Sequence, residues 1–210
     1  MFEVKKKDFY LFKNQINPDE DTIIKLKKFV RMLEDYQKNM NLIGKSTMPA
    51  IWTRHILDSA QIEKILPKED KNYITVDVGT GAGFPGMILA AMGRKDLLLC
   101  EKSTKKNIFL NAVAKECKLK VKIYNDRIEN LRALNIRTII SRAFSPLKNL
   151  ILKVRHCLCH NTTLVLHKGR AYMKEIIEAK SLFCFNYKCY DSVTDSDAKI
   201  LKIDNIKDKK

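Results

Sequence analysis

Four glycines, Gly79, Gly81, Gly83 and Gly86, stand within eight residues, directly after the apolar run "YITVDV". Glycines at this spacing let a chain turn sharply and bring bare backbone against a ligand. Two patterns overlap here. Gly81-Ala82-Gly83-Phe84-Pro85-Gly86 satisfies the dinucleotide fingerprint G-x-G-x-x-G. Asp77-Val78-Gly79-Thr80-Gly81-Ala82-Gly83 satisfies D-x-G-x-G-x-G, a loop that holds S-adenosylmethionine in methyltransferases. In both readings Glu101, ending the next strand, is placed to take ribose hydroxyls.

Three features favour the methyl donor. A dinucleotide fingerprint opens almost at the strand end, whereas Gly81 is displaced by Gly79-Thr80. Pro85 removes an amide that a pyrophosphate would need. Asp77 is expected to point its carboxylate into the loop, where it repels a pyrophosphate and suits the cationic amino group of a methionine moiety.

Other residues carry chemistry in one reading and structure in another. Arg54, His55 and Asp58 fall at i, i+1 and i+4 of an expected helix, so Arg54 and Asp58 are expected to pair on one face. That face is either a helix-stabilising ion pair with a packed histidine or a wall of an active site. Lys168 ends a strand before Gly169, as a point charge for an RNA phosphate or as a solvated lysine. Lys102, Lys105 and Lys106 flank the loop, either against an RNA backbone or as a solvated helix face. Phe144 either stacks on a base or packs in the core. His156, Cys157, Cys159 and His160 crowd together and match no zinc spacing, which reads as small buried thiols and exposed imidazoles.

These residues need a scaffold. Residues 19–40 read as an amphipathic helix capped by Asp19 or Asp21, and 47–66 as a second helix. From Tyr73 onward, strands alternate with helices of ten to fifteen residues, as in βαβ units. Pro85, Ser103 and Pro146 mark helix starts. The expected fold is α/β and Rossmann-like: a mostly parallel seven-stranded sheet with helices on both faces. A boundary is expected near the "PKEDKN" turn, giving a helical extension (1–70) and a compact core (71–210).

The chain has 210 residues, 45% of them hydrophobic, which suffices for one sizeable core. No apolar run approaches the ~20 residues of a bilayer span, and "MFEVKKKDFYLFK" lacks a signal-peptide core, so a cytoplasmic location is expected. A net charge of +16 favours a polyanionic partner.

Five motifs in order, "RHILDS" (54–59), "DVGTGAGFPG" (77–86), "NDRIENL" (125–131), "ISRAFSPL" (140–147) and "LHKG" (166–169), resemble the RsmG family, also called GidB. These are bacterial methyltransferases of small-subunit (16S) ribosomal RNA that act on the N7 of a guanine. The resemblance spans about residues 20–170. It implies S-adenosyl-L-methionine as cofactor, with Gly79, Phe84, Ile128, Glu129 and Arg142 in the donor site, and Asp77, Gly81, Gly83 and Glu101 at general fold positions. Arg54, His55 and Lys168 are the catalytic candidates, no metal is implied, and the substrate is expected within the small subunit. N7 carries a free lone pair, so such a transfer needs alignment rather than a general base. No Asn/Asp-Pro-Pro-aromatic motif follows the fourth strand, and there is no Pro-Cys pair, which excludes two other classes of target. The rival readings are an NAD(P)-dependent oxidoreductase and a non-catalytic RNA-binding or ribosome-assembly protein. Residues 182–210 do not align with the family pattern.

Overall fold

A computed structural model describes residues 6–132 and 135–209. Helix α1 (Lys6–Ile16) lies where no element was expected. Helix α2 (Glu20–Gln37) begins as expected, with the Asp19 carboxylate accepting from the Thr22 amide at 2.7 Å. The continuous helix expected over 47–66 is instead a series of irregular turns. A 3₁₀ turn, Lys45–Ala50, carries Pro49. A π turn, Trp52–Leu57, follows, then α3 (Asp58–Ala60) and a 3₁₀ turn, Glu63–Ile65.

The remainder alternates as the sequence pattern requires. In order come β1 (Ile74–Val78), α4 (Gly86–Ala91), β2 (Leu97–Cys100), α5 (Thr104–Glu116), β3 (Lys122–Tyr124) and β4 (Ile136–Arg142). Then follow α6 (Leu147–Val154), β5 (Thr163–Lys168), α7 (Tyr172–Ala179), β6 (Phe183–Asp191) and β7 (Lys199–Asp208). Ser103 caps α5 with its hydroxyl, and Pro146 stands just ahead of α6.

The seven strands form one sheet in the order β3-β2-β1-β4-β5-β7-β6. Strands β1 to β5 are parallel, and β7 runs antiparallel to both its neighbours. Parallel strands buried on both faces read as continuous apolar runs, and all four residues of β2 are buried. Leu97, Leu99, Ile140 and Val165 meet α2, α4, α5 and the 45–65 turns. Val78, Leu98, Ile139 and Leu166 meet α6 and α7 on the other face. The helices before residue 70 belong to the first of these layers: Phe29 of α2 packs edge-on against Phe84 at 5.4 Å between ring centroids.

Strand order reverses between β1 and β4, which opens a crevice at their carboxyl ends. The β6–β7 turn folds back over the same edge. Thr194 donates its hydroxyl to Asp58 at 2.8 Å, and the Val193 amide donates to Gln61 at 2.9 Å.

Candidate functional site

Two cavities lie side by side at this edge, and Ala143 lines both. Ala143 holds a left-handed backbone, φ +54°, immediately after β4. An L-residue there is strained, and such strain persists where the surroundings fix it.

The first cavity, about 350 Å³, is lined by Gly79, Gly81, Glu101, Ile128, Glu129 and Phe144. It thus joins the glycine loop to the ends of β2 and β4 and to the turn after β3. Gly79 has φ +68°, and a Cβ on it would meet the Phe144 ring at 2.2 Å. Glu101 accepts from the Gly81 amide at 3.0 Å and the Ser103 amide at 2.8 Å, which fixes its carboxylate at the cavity wall. Lys102 and Lys106 stand on the rim. Cys100 also lines the cavity, but burial, with Glu101 and Asp77 nearby, pushes its thiol up to about 12, so it offers no thiolate.

The loop engages nearly all its own amides. Gly79 and Thr80 donate to the Cys100 carbonyl, and Gly83 and Phe84 to that of Thr80. Gly81 donates to Glu101 and Gly86 to Asp77, while Pro85 has no N–H. A pyrophosphate needs several free amides at a helix start, and this loop does not provide them. A carboxylate and an apolar wall beside uncharged backbone suit a nucleoside without phosphate.

Four expected donor-site residues lie elsewhere, three of them packed inside the protein. Asp77 does not point into the loop cavity. Its carboxylate is fully buried beneath the loop, and one oxygen accepts from the Thr80 hydroxyl at 2.5 Å and the Gly86 amide at 2.8 Å. Burial pushes this carboxyl up to about 7. Asp77 therefore ties the loop to α4 and is not available to an amino group. Gly83 packs against α4, where a Cβ would meet Met87 at 2.5 Å. Phe84 is buried between Phe29 and His55, and the Arg142 guanidinium sits 4.9 Å from its ring centre.

The second cavity, about 330 Å³, gathers Arg54, His55, Asp58, Arg142 and Lys168 with Thr194 and Asp195 of the β6–β7 turn. Arg142 belongs to this cavity rather than to the first. The expected Arg54–Asp58 pair is absent. Asp58 instead pairs with Arg142 at 3.1 Å, and the half-exposed Arg54 faces Asp195 at 3.7 Å. Asp58 is already engaged by Arg142 and by the Thr194 hydroxyl at 2.8 Å, which leaves Arg54 to the rim. Lys168 is not a free point charge. Its ammonium donates to the Ser145 carbonyl at 2.8 Å and Glu175 at 2.7 Å, and only 8% of its side chain is exposed. It anchors the loop that carries Ala143 and Phe144.

Sequence reasoning did not single out Thr47, Thr194 or Asp195. The β6–β7 residues had no local signal, because Thr194 meets Asp58 across 136 positions. Among the described residues no group of histidine, cysteine and acidic side chains could hold a metal ion. Among the described residues, too, no helix is long and apolar enough to cross a membrane.

The family model of rRNA small subunit methyltransferase G (GidB) matches residues 22–203, and so takes in most of the 182–210 region that the motifs did not reach. The chain belongs to that family. Ribosomal RNA small subunit methyltransferase G of Rickettsia prowazekii is 36% identical over 186 residues, covering 89% of this chain and 95% of that protein. The namesake from Orientia tsutsugamushi is 34% identical over 187 residues, 89% of this chain and 92% of its own. The one from Ruegeria pomeroyi is 31% identical over 198 residues, 92% and 96%. Among solved structures, a ribosomal protein L11 methylase from Lactobacillus delbrueckii superposes with a TM-score of 0.57 at 15% identity, covering 71% of this chain and 77% of that one. M. jannaschii TYW2 in complex with AdoMet gives 0.53 at 15% identity, with 72% and 76% covered. At such identities the structures speak for the fold alone, a Rossmann-like methyltransferase fold. Membership of the G family makes the chain a methyltransferase.

Proposed function

We propose that the chain transfers a methyl group from S-adenosylmethionine to the N7 of a guanine in 16S ribosomal RNA of the small subunit. The observation that carries this reading is the pair of adjoining cavities, one with few free amides for phosphate and the other walled by Arg54, His55 and Arg142. The first cavity is assigned to the donor. Glu101 would accept its ribose hydroxyls, Ile128 would bear on its adenine, and Gly79 and Gly81 would let backbone lie against it. The donor supplies an electrophilic methyl on a sulfonium.

The second cavity is assigned to the acceptor base. Its residues orient the base and exclude water. They move no proton, because the N7 lone pair is already free. His55 has both ring nitrogens in hydrogen bonds, and burial holds its pKa at about 3, so it offers no base. Arg54, at the rim, and Lys102 and Lys106 beside the first cavity supply the sequence-independent attraction for the RNA backbone.

The oxidoreductase reading requires phosphate-binding amides, and these are engaged within the loop. Calorimetry separates the two: S-adenosylhomocysteine should bind and NAD should not. Binding of NAD with none of the homocysteine compound would refute the assignment of the first cavity.

A further inference from the structure

Arg142 ends β4, and its guanidinium offers five N–H donors and no acceptor. Nη1 donates to the Arg54 carbonyl at 2.9 Å and to Asp58 at 3.1 Å. Nη2 lies 2.6 Å from Nδ1 of His55. A guanidinium can only donate, so Nδ1 must carry a lone pair. On the far side of the ring, Nε2 lies 2.7 Å from Oγ1 of Thr47. That hydroxyl donates its one proton to the Gly44 carbonyl at 2.7 Å, so Oγ1 accepts and Nε2 donates. Both ends of the chain demand the same species, a neutral imidazole protonated on Nε2. Protonating Nδ1 would set two donors face to face. Burial and the charges of Arg142 and Arg54 oppose it, against the weaker pull of Asp58.

We propose that Thr47 and His55 are positioning residues that fix the rotation of the Arg142 guanidinium at the wall of the second cavity. The chain runs one way, from arginine through imidazole and hydroxyl to the Gly44 carbonyl. With three of the five donors engaged, Nε–H and one Nη2–H are left for a ligand. The Phe84 ring, 4.9 Å from the guanidinium carbon, supports the plane. Two such donors take an oxygen acceptor. It is either the methionine carboxylate of the donor or O6 of the target guanine, and the chemistry is the same for both. The catalytic readout of this inference rests on the proposed function, whereas the hydrogen-bond chain does not.

The test begins with imidazole nitrogen shifts of ¹⁵N-histidine-labelled protein between pH 5 and pH 8, with His55→Ala used to assign the His55 signals. His55 should remain neutral with its proton on Nε2 across the range. An Nδ1–H form, or titration of His55 in that range, overturns the proposal. Kinetics then compare His55→Ala, His55→Asn and Thr47→Val. Asparagine keeps an acceptor near Nδ1 and should recover most of the roughly tenfold loss in kcat/KM of the alanine variant, about one charged hydrogen bond. Thr47→Val releases the tautomer and should lie between the two. If affinity for S-adenosylhomocysteine falls with the rate, the oxygen is the donor's; if kcat falls at unchanged affinity, it is the base's. Asparagine as poor as alanine, or full rate in all variants, overturns the proposal. An absence of methyl transfer by the unaltered protein would sink the functional reading, while the tautomer result stands or falls by itself.

Discussion

Replacing Gly79 by alanine should close the first cavity without unfolding the protein. Two effects combine at this position. The backbone φ of +68° strains any L-residue, by roughly 1–2 kcal/mol. The new Cβ would also lie 2.2 Å from Cδ2 of Phe144, so the ring must retreat by roughly 1.3–1.8 Å to ordinary contact. Phe144 is half-buried and can swing, so the stability loss should stay near the strain alone. The cavity it lines should not survive the movement, since about 1 Å of misplacement can cost 10²-fold in rate. Gly93→Ala is the control: φ is +107° and nothing lies within 4 Å of its Cβ. Urea unfolding should show both variants destabilised by roughly 1–2 kcal/mol. Calorimetry should show at least about tenfold weaker binding of S-adenosylhomocysteine by Gly79→Ala alone, with methyl transfer down ~100-fold. In a Phe144→Ala background, adding Gly79→Ala should cost little more affinity, because the clash is gone. Unchanged affinity and rate in Gly79→Ala, or an equal loss in Gly93→Ala, would refute the argument.

Three further outcomes follow from the site. Lys168→Met removes one partner of a largely buried pair and should cost about 2–3 kcal/mol, somewhat under the usual figure because Glu175 keeps the Leu147 amide. A phosphate contact at Lys168 would instead leave stability intact and raise KM for the subunit. Asp77 is raised to about 7 from 3.8, so the folded state binds its proton more tightly than the unfolded chain. Its contribution to stability is therefore greatest below pH 4, falls as pH rises from 4 to 7, and is flat above. The full fall is on the order of 4 kcal/mol. Asp77→Asn should flatten the change in urea-unfolding stability between pH 5 and pH 8, and an equal slope in both proteins contradicts it. Finally, Cys159 and Cys184 are exposed and should alkylate readily at pH 8, while buried Cys100 resists until the protein unfolds; fast alkylation of Cys100 would contradict its burial.

The α/β alternation was legible because the buried parallel strands are largely apolar, β2 throughout, and α5 carries a local cap at Ser103. The first cavity was legible too, since positive φ at Gly79 and Gly81 leaves a mark in residue type. Helix α1 was not. Its docking depends on Phe9 and Phe12 meeting Trp52 at 4.8 Å and 5.3 Å, a contact with a residue forty positions later. The direction of Asp77 was misread because strand alternation turns it toward α4, where Gly86 leaves room for it. The expected Arg54–Asp58 pair failed because Asp58 is taken by Arg142 and Thr194, partners 84 and 136 positions away that local spacing does not announce. The second cavity is closed by the β6–β7 turn, and nothing local to residues 192–195 announces it.

The most direct test is methyl transfer from labelled S-adenosylmethionine to small ribosomal subunits that lack their own N7 methylation. Chain cleavage specific to 7-methylguanosine then locates the label. The account predicts label at one guanine of the 16S RNA, lost in Gly79→Ala and kept in Gly93→Ala. Label on another atom or another base, or none despite bound donor, would contradict it.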